Sequence, residues 1–423
     1  MKKNIDLCFK HESLIGLVPH ILLVFFTLTT NFIFANSAYV SSSPNIAVID
    51  TSTNNIIATI SVGGNVEAIA STPNGDFVYA ANFSQNDVLV IDTLTNEIVA
   101  TVAVGIQPTW IAISPNGLLA YVTNLGSDSV SVIDTLLNTI TATIPVPTGS
   151  LPETVAITPD GQFAYVVLRV LHSVIAIDTF TNLVTATIEI GFGSFPDRIA
   201  ITPNGQTAYV TNNIFNNVSV IDLTTNTISA TVSVGNAPHG VASAPNGQFV
   251  YVANSNSNSV SVIETSTNSV FATISLPFGS TPINVAITSD GEFAYVTSFN
   301  ADNVAVIDTS SNSVLSTIGV PIPLAIAITP SPSAPQSLKG HQKSNDFGVV
   351  YELFNRIMWQ MDPSGSRVAG FNVYRNDVKI ATLSAFTLEY EDHNVKKGAY
   401  YTYDVTAFDA LGSESLPSTI TIH

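Results

Sequence analysis

The chain has 423 residues, only 10% of them charged, and a formal charge of −18. Between residues 36 and 333 there is no lysine, and two arginines (Arg169 and Arg198) stand against 19 acids. A field this negative argues against nucleic acid or anionic lipid as a partner, and a composition led by Val, Ile, Thr, Ser and Asn favours strands and turns over helices.

Residues 1–37 differ in kind. Lys2, Lys3 and Lys10 precede an apolar stretch, Leu14 to Phe34, and small residues follow at Ala35-Asn36-Ser37-Ala38. That order predicts a secretory signal peptide, with an uncleaved anchor as the alternative. The protein is then expected in the periplasm, on the cell surface or in the medium, with no membrane span once the leader is gone. The one cysteine, Cys8, leaves with it, so no disulfide or thiol chemistry is expected.

From residue 38 to 329 a unit of about 42 residues repeats. Its marker is a tyrosine, at Tyr39, Tyr79, Tyr121, Tyr165, Tyr209, Tyr251 and Tyr295. Each copy predicts four strands, here called A to D. In the fifth copy A is 199–202, B is 207–211, C is 218–221 and D runs from 227 to 234. Asn-Gly or Asp-Gly joins A to B at Asn74-Gly75, Asn116-Gly117, Asp160-Gly161, Asn204-Gly205, Asn246-Gly247 and Asp290-Gly291, predicting type I′ turns. Strand C is apolar or small on both faces, so each sheet must be covered on both sides, as in a β-propeller. The first copy lacks an A strand, and Leu324–Thr329 is an A strand with nothing after it. Pairing the two closes a ring of seven four-stranded blades and leaves no bare edge at the seam.

The phrases Tyr121-Val122-Thr123-Asn124 and Tyr209-Val210-Thr211-Asn212, each followed by Val-Ser-Val-Ile-Asp, resemble the YVTN family of β-propeller repeats. The pattern weakens at Tyr79-Ala80-Ala81-Asn82 and breaks at Tyr165-Val166-Val167-Leu168. The resemblance implies an all-β, seven-bladed propeller of a bacterial or archaeal envelope protein.

Residues 330–336 read as a stiff Pro/Ser linker. Residues 337–423 predict about seven β-runs with Trp359 in an early one, and they resemble a fibronectin type III β-sandwich. That resemblance implies that Tyr401 is the tyrosine-corner residue.

Chemistry is harder to find. Asp50, Asp92, Asp134, Asp178, Asp222, Glu264 and Asp308 all fall in C–D turns, where a carboxylate caps backbone N–H groups. They lie far apart around the rim, so they read as turn caps and not as a metal set. His172, His239, His341, His393 and His423 show no ligand spacing. No metal, cofactor or catalytic residue is expected.

The repeat is least regular in blades 4 and 5. Leu168-Arg169-Val170-Leu171-His172 replaces a bland B–C loop, Phe215 sits in the next one, and the adjoining D–A loop holds Phe192, Phe195, Asp197 and Arg198. Trp110 and His239 occupy equivalent D–A positions of other blades. Clustered arginine and aromatic residues are the composition of a binding surface, so Arg169, Leu171, His172, Phe192, Phe195, Arg198, Phe215, Trp110 and His239 form the candidate site. The bland alternative has Val170, Leu171 and Phe195 tucked inward and the arginines paired with Asp197 or Glu189. The leading expectation is an exported, monomeric, non-catalytic scaffold binding a protein or glycan. The alternatives are a secreted propeller enzyme of lactonase or lyase type, which would need acids and histidines converging in the channel mouth, and a structural envelope or surface-layer component.

Overall fold

The computed structural model describes residues 36–330, 332, 334–346, 351–361, 368–409 and 414–423. The expected leader lies outside the described residues, apart from Asn36 and Ser37. Ser37 pairs with Asp50 as the first residue of a strand.

Residues 36–329 form seven antiparallel four-stranded sheets. In one of them the strand Pro323–Ile328 pairs with Ser37–Ser42, so the seam is closed from both ends of the ring as expected. Seven separate apolar clusters hold the ring, one at each interface between neighbouring blades. The interface of blades 4 and 5, for example, joins Tyr165, Val174 and Ile188 to Ile199, Ala208 and Ile221.

Each letter of the repeated phrase has a physical task. The tyrosine ring is wholly buried, and in six of the seven copies its hydroxyl donates to an asparagine in the next blade's C–D turn. Tyr209 reaches Asn268 at 2.7 Å, Tyr39 reaches Asn96 at 2.7 Å, and Tyr295 crosses the seam to Asn54 at 2.8 Å. That asparagine sits at positive φ, which asparagine tolerates best among residues with a Cβ. The threonine hydroxyl reaches the next blade's inner strand, as in Thr211 to the His239 carbonyl at 2.8 Å. The asparagine amide ties its strand to strand C, as in Asn254 to Ser261 at 2.9 Å.

The C–D carboxylates do cap their turns. Asp92 Oδ1 accepts from the Leu94 and Thr95 amides, and Asp222 Oδ1 from those of Thr224 and Thr225. The A–B turns differ from expectation. Only the glycine has positive φ (74° at Gly75), and its amide donates to the Thr72 carbonyl. The turn is set one residue earlier than the dipeptide predicts, from Thr72 to Gly75 and from Thr288 to Gly291. Its second position is proline in most blades, whose fixed φ near −65° suits it, and Ser289 in blade 7.

Strand A is the second difference. In blade 5 it begins at Pro196 rather than at Ile199, and the same extension places Trp110 in Pro108–Ile113 and His239 in Pro238–Ser243. Asp197, Arg198, Trp110 and His239 therefore belong to the inner strands and not to loops.

Residues 336–422 form a three-stranded sheet (Gln336–Asp346, Tyr351–Gln360, Glu389–Asp392) and a four-stranded one ordered Val378–Ser384, Gly370–Arg375, Tyr401–Phe408, Ser418–Ile422. Trp359, Phe371, Val373, Tyr403 and Val405 make the core between them. The Tyr401 hydroxyl accepts from the Lys396 amide at 3.0 Å, a backbone contact five residues upstream.

Candidate active site at the mouth of the ring

One face of the propeller is built from pairs of loops. In blades 2 to 7 the B–C loop hydrogen-bonds through its backbone to the D–A loop that enters the same blade, as in Arg169 N to Leu151 O, Asn213 N to Phe195 O and Ser255 N to Ala237 O. In those blades the residue that ends the B–C loop has positive φ, and its side chain can cap the following D–A loop. Asn216 accepts from the Ala237 amide and Asn258 from the Thr281 amide. His172 does the same with imidazole, its Nδ1 accepting from the Phe195 amide at 3.3 Å. Its ring lies edge-on to Phe192 and Phe195, at centroid distances of 5.3 and 4.9 Å. His172 is therefore a loop-positioning residue.

Inside this face, the first residues of successive inner strands point charged groups at one another. The Arg198 guanidinium donates to Glu153 Oε1 at 3.0 Å, lies 3.3 Å from Asp197 Oδ1, and stacks over the Trp110 ring at 4.5 Å. His239 Nε2 faces Asp197 Oδ2 at 3.3 Å, and Arg169 approaches Glu153 Oε2 at 3.6 Å. Four blades thus supply one cluster. Glu153, Asp197 and Arg198 are buried, whereas the side chains of His239 and Arg169 are 24% and 38% exposed and form its open side. Glu67 of blade 2, held by Asn65 at 2.6 Å, lies within electrostatic reach of Arg198 and Glu153.

Burial pushes the Glu67 carboxyl above its ordinary value, against the pull of Arg198. Burial also pushes the Asp197 carboxyl up, but the cations around it, His239 when protonated together with Arg198 and Arg169, outweigh burial and hold the group below the usual carboxylate range. For His239, burial comes first and Arg198 adds to it, and together they exceed the pull of Asp197. The imidazole is thus held below its ordinary value and is neutral at neutral pH.

The cluster is not self-sufficient. Glu153 Oε2 and both Asp197 oxygens are buried with ion-pair contacts only, at 3.3–3.6 Å, and Arg198 Nε and His239 Nδ1 are buried with no hydrogen bond to another described residue. An unsatisfied buried polar atom costs about 1–3 kcal/mol. Two such atoms beside three loosely paired carboxylate oxygens mark a site shaped for something other than the fold.

Of the nine residues singled out in the sequence, Arg169, Arg198, Trp110 and His239 meet in this cluster. Leu171, Phe192, Phe195 and Phe215 line the loops outside it, and His172 holds those loops. The arginines pair with Glu153 and Asp197; Glu189 lies on strand D, paired across to Ser173. Val170, Leu171 and Phe195 remain exposed and do not plug the ring. Glu153 and Glu67 escaped sequence reasoning. Their signal was position: each follows the residue that opens an inner strand, Pro152 and Val66, where other blades have Thr109, Asp197, His239, Ile283 and Leu324.

A family model described as "Lactonase, 7-bladed beta-propeller" matches residues 31–273. Among solved structures, the periplasmic gluconolactonase of Pseudomonas aeruginosa is 16% identical with a TM-score of 0.60, covering 70% of this chain and 99% of that one. A protein of unknown function from Desulfotomaculum acetoxidans DSM 771 is 19% identical with a TM-score of 0.62 over 70% and 99%. Among curated proteins, exoglucanase B of Cellulomonas fimi is 37% identical over 90 residues, 21% of this chain, and the chain spans only 8% of that protein's length. The family match overturns the expectation of a non-catalytic scaffold. The sequence shows no catalytic constellation because residues of different blades come together only once the ring closes.

Proposed function

Because the chain belongs to the lactonase, seven-bladed β-propeller family, we propose that it is an enzyme that opens a lactone ring with water at the mouth of its ring of inner strands. The observation that carries this reading is the four-blade cluster with unsatisfied buried acceptors and donors beside a neutral imidazole. Asp197 faces His239 Nε2, and a small rotation of the partly exposed imidazole would bring Nδ1, buried and without a hydrogen bond in the resting structure, to the attacking water to take its proton. The water oxygen bonds to the lactone carbonyl carbon. Arg169, with its guanidinium open to the mouth, faces the oxyanion that develops. Collapse breaks the ring C–O bond, and His239 returns its proton to the departing oxygen, giving a hydroxy acid. Arg198 is held between Glu153, Asp197 and Trp110 and keeps the two acids in place.

We place this enzyme in the cell envelope, on the leader-like order of residues 1–37 and the likeness to a periplasmic gluconolactonase. No helix among the described residues is long and apolar enough to cross a membrane. We assign the repeats to the YVTN type on the tyrosine–asparagine latch. The sandwich goes to the fibronectin type III class on its strand order and the Tyr401 contact.

The test is a panel of γ- and δ-lactones followed by acid release in a pH-stat. His239→Gln should lower kcat/KM by about 10²–10⁴, the contribution of a positioned general base. Turnover by the variant at the wild-type rate, with the fold intact by circular dichroism, would remove His239 from the chemistry. No lactone opened by the wild-type protein would overturn the reading.

A further inference from the structure

An apolar wall adjoins the charged cluster. It consists of Val170 and Leu171 from the B–C loop of blade 4, Phe192 and Phe195 from the D–A loop beyond it, and Ile214 and Phe215 from the B–C loop of blade 5. All six are exposed, Phe192 at 94%. The corresponding loop of blade 6 is Ser255-Asn256-Ser257-Asn258. Exposed apolar groups scattered singly need no explanation, but six on adjoining loops of one sector do.

Three observations set this wall apart from an ordinary patch. It is continuous with the cluster, since Val170 follows Arg169 and Phe195 stands two residues before Asp197. It is held in place, because His172 fixes the Phe195 amide and packs edge-on against both Phe192 and Phe195. It also places an aromatic ring at the loop's positive-φ position: Phe195 (φ 47°) stands where other blades have Gln107, Leu151, Ala237, Thr281 and Ile322. The Cβ position of Gly193 faces the Phe215 ring at 3.8 Å, which brings the two loops together.

We infer that this wall selects the substrate, and that the site takes lactones carrying an unbranched alkyl substituent in preference to small or polyhydroxylated ones. The inference rests on the lactonase reading: with the ring carbonyl at Arg169 and His239, a substituent leaves the cluster across Phe195 and Phe192. Each methylene wholly buried there would raise affinity roughly fourfold. On a wall open on one side, four added methylenes should yield at least roughly tenfold.

The experiment compares γ-butyrolactone, γ-octalactone and γ-dodecalactone, and separately measures calorimetric binding of 2-pyrrolidinone and 5-octyl-2-pyrrolidinone, lactams that need no turnover. We expect kcat/KM to rise at least tenfold from the first lactone to the second. The substituted lactam should bind correspondingly tighter, and the double variant Phe192→Ser, Phe215→Ser should shrink both ratios toward one. Lactones opened without regard to chain length, together with equal binding of the two lactams, would overturn the wall and leave the lactonase reading standing. Chain-dependent lactam binding that the variant abolishes, with no lactone opened, would keep the wall and overturn the lactonase reading. Neither turnover nor chain-dependent binding would overturn both.

Discussion

The two faces of the propeller obey different rules. On the face of the A–B and C–D turns, the seven copies do nearly the same thing: an aspartate or glutamate takes part in its turn, and a tyrosine hydroxyl from the blade before donates into it. On the face of the B–C and D–A loops the backbone is equally regular, with the same loop-to-loop hydrogen bonds, but the side chains diverge. The equivalent strand positions hold Glu67, Thr109, Glu153, Asp197, His239, Ile283 and Leu324. A ring built from repeats needs its latches identical, since each blade must fit the next. It needs no such identity in groups that point at the axis, and there the residue types diverge most.

Breaking the axial cluster should have the largest effect on stability. Arg198→Met leaves Asp197 and Glu153 buried without their common cation, which should cost about 3–5 kcal/mol by urea denaturation. A loss under about 1 kcal/mol would show that the acids find other partners.

The same cluster makes the protein acid-sensitive. The folded-state pKa of His239 lies below its ordinary value of about 6.5, so the neutral form is fully favourable above that pH. As pH falls below it, the unfolded chain takes up the proton first, and stability is lost until the folded imidazole is also protonated, at up to about 1.4 kcal/mol per pH unit. Between pH 7.5 and 5.5 the wild-type urea midpoint should therefore fall further than that of His239→Gln. Equal falls would refute the depressed pKa. The acid limb of kcat/KM should correspondingly lie below 6.5.

On the latch face effects should be smaller and purely structural. Tyr209→Phe removes one hydrogen bond to Asn268 and should cost about 1 kcal/mol. Tyr121→Phe should cost less, because that hydroxyl reaches only the Thr179 carbonyl, at 3.4 Å, and Asn182 Oδ1 is left without a hydrogen bond. Equal losses at the two positions would mean that the latch is not what fixes the tyrosine.

The contrast between faces also explains what could be read from the sequence. The recurring tyrosine, the orphan A strand after Leu324 and the two-sided strand C fix a seven-bladed ring, because repetition makes a local signal sevenfold. The turn type differs because the chain closes one residue before the Asn-Gly or Asp-Gly centre, on the glycine amide, in blade 7 with Ser289 as in the other blades with proline. The site was half legible: Arg169, Arg198, Trp110 and His239 stood out as rare residue types in a chain of Val, Ser and Thr. Glu153 and Glu67 did not, since a single acid in a chain with 31 of them carries no signal until the ring brings the strands together. Placing Asp197 and His239 in loops also hid that rigid inner strands carry them.

The most direct test sets one residue from each face side by side, with lactone turnover and urea midpoint measured on the same preparations of His239→Gln and Tyr209→Phe. His239→Gln should lose turnover by a hundredfold or more and keep its midpoint at pH 7.5, whereas Tyr209→Phe should lower the midpoint and keep its turnover. Wild-type turnover in His239→Gln, or turnover lost in a folded Tyr209→Phe, would contradict the division of labour between the faces.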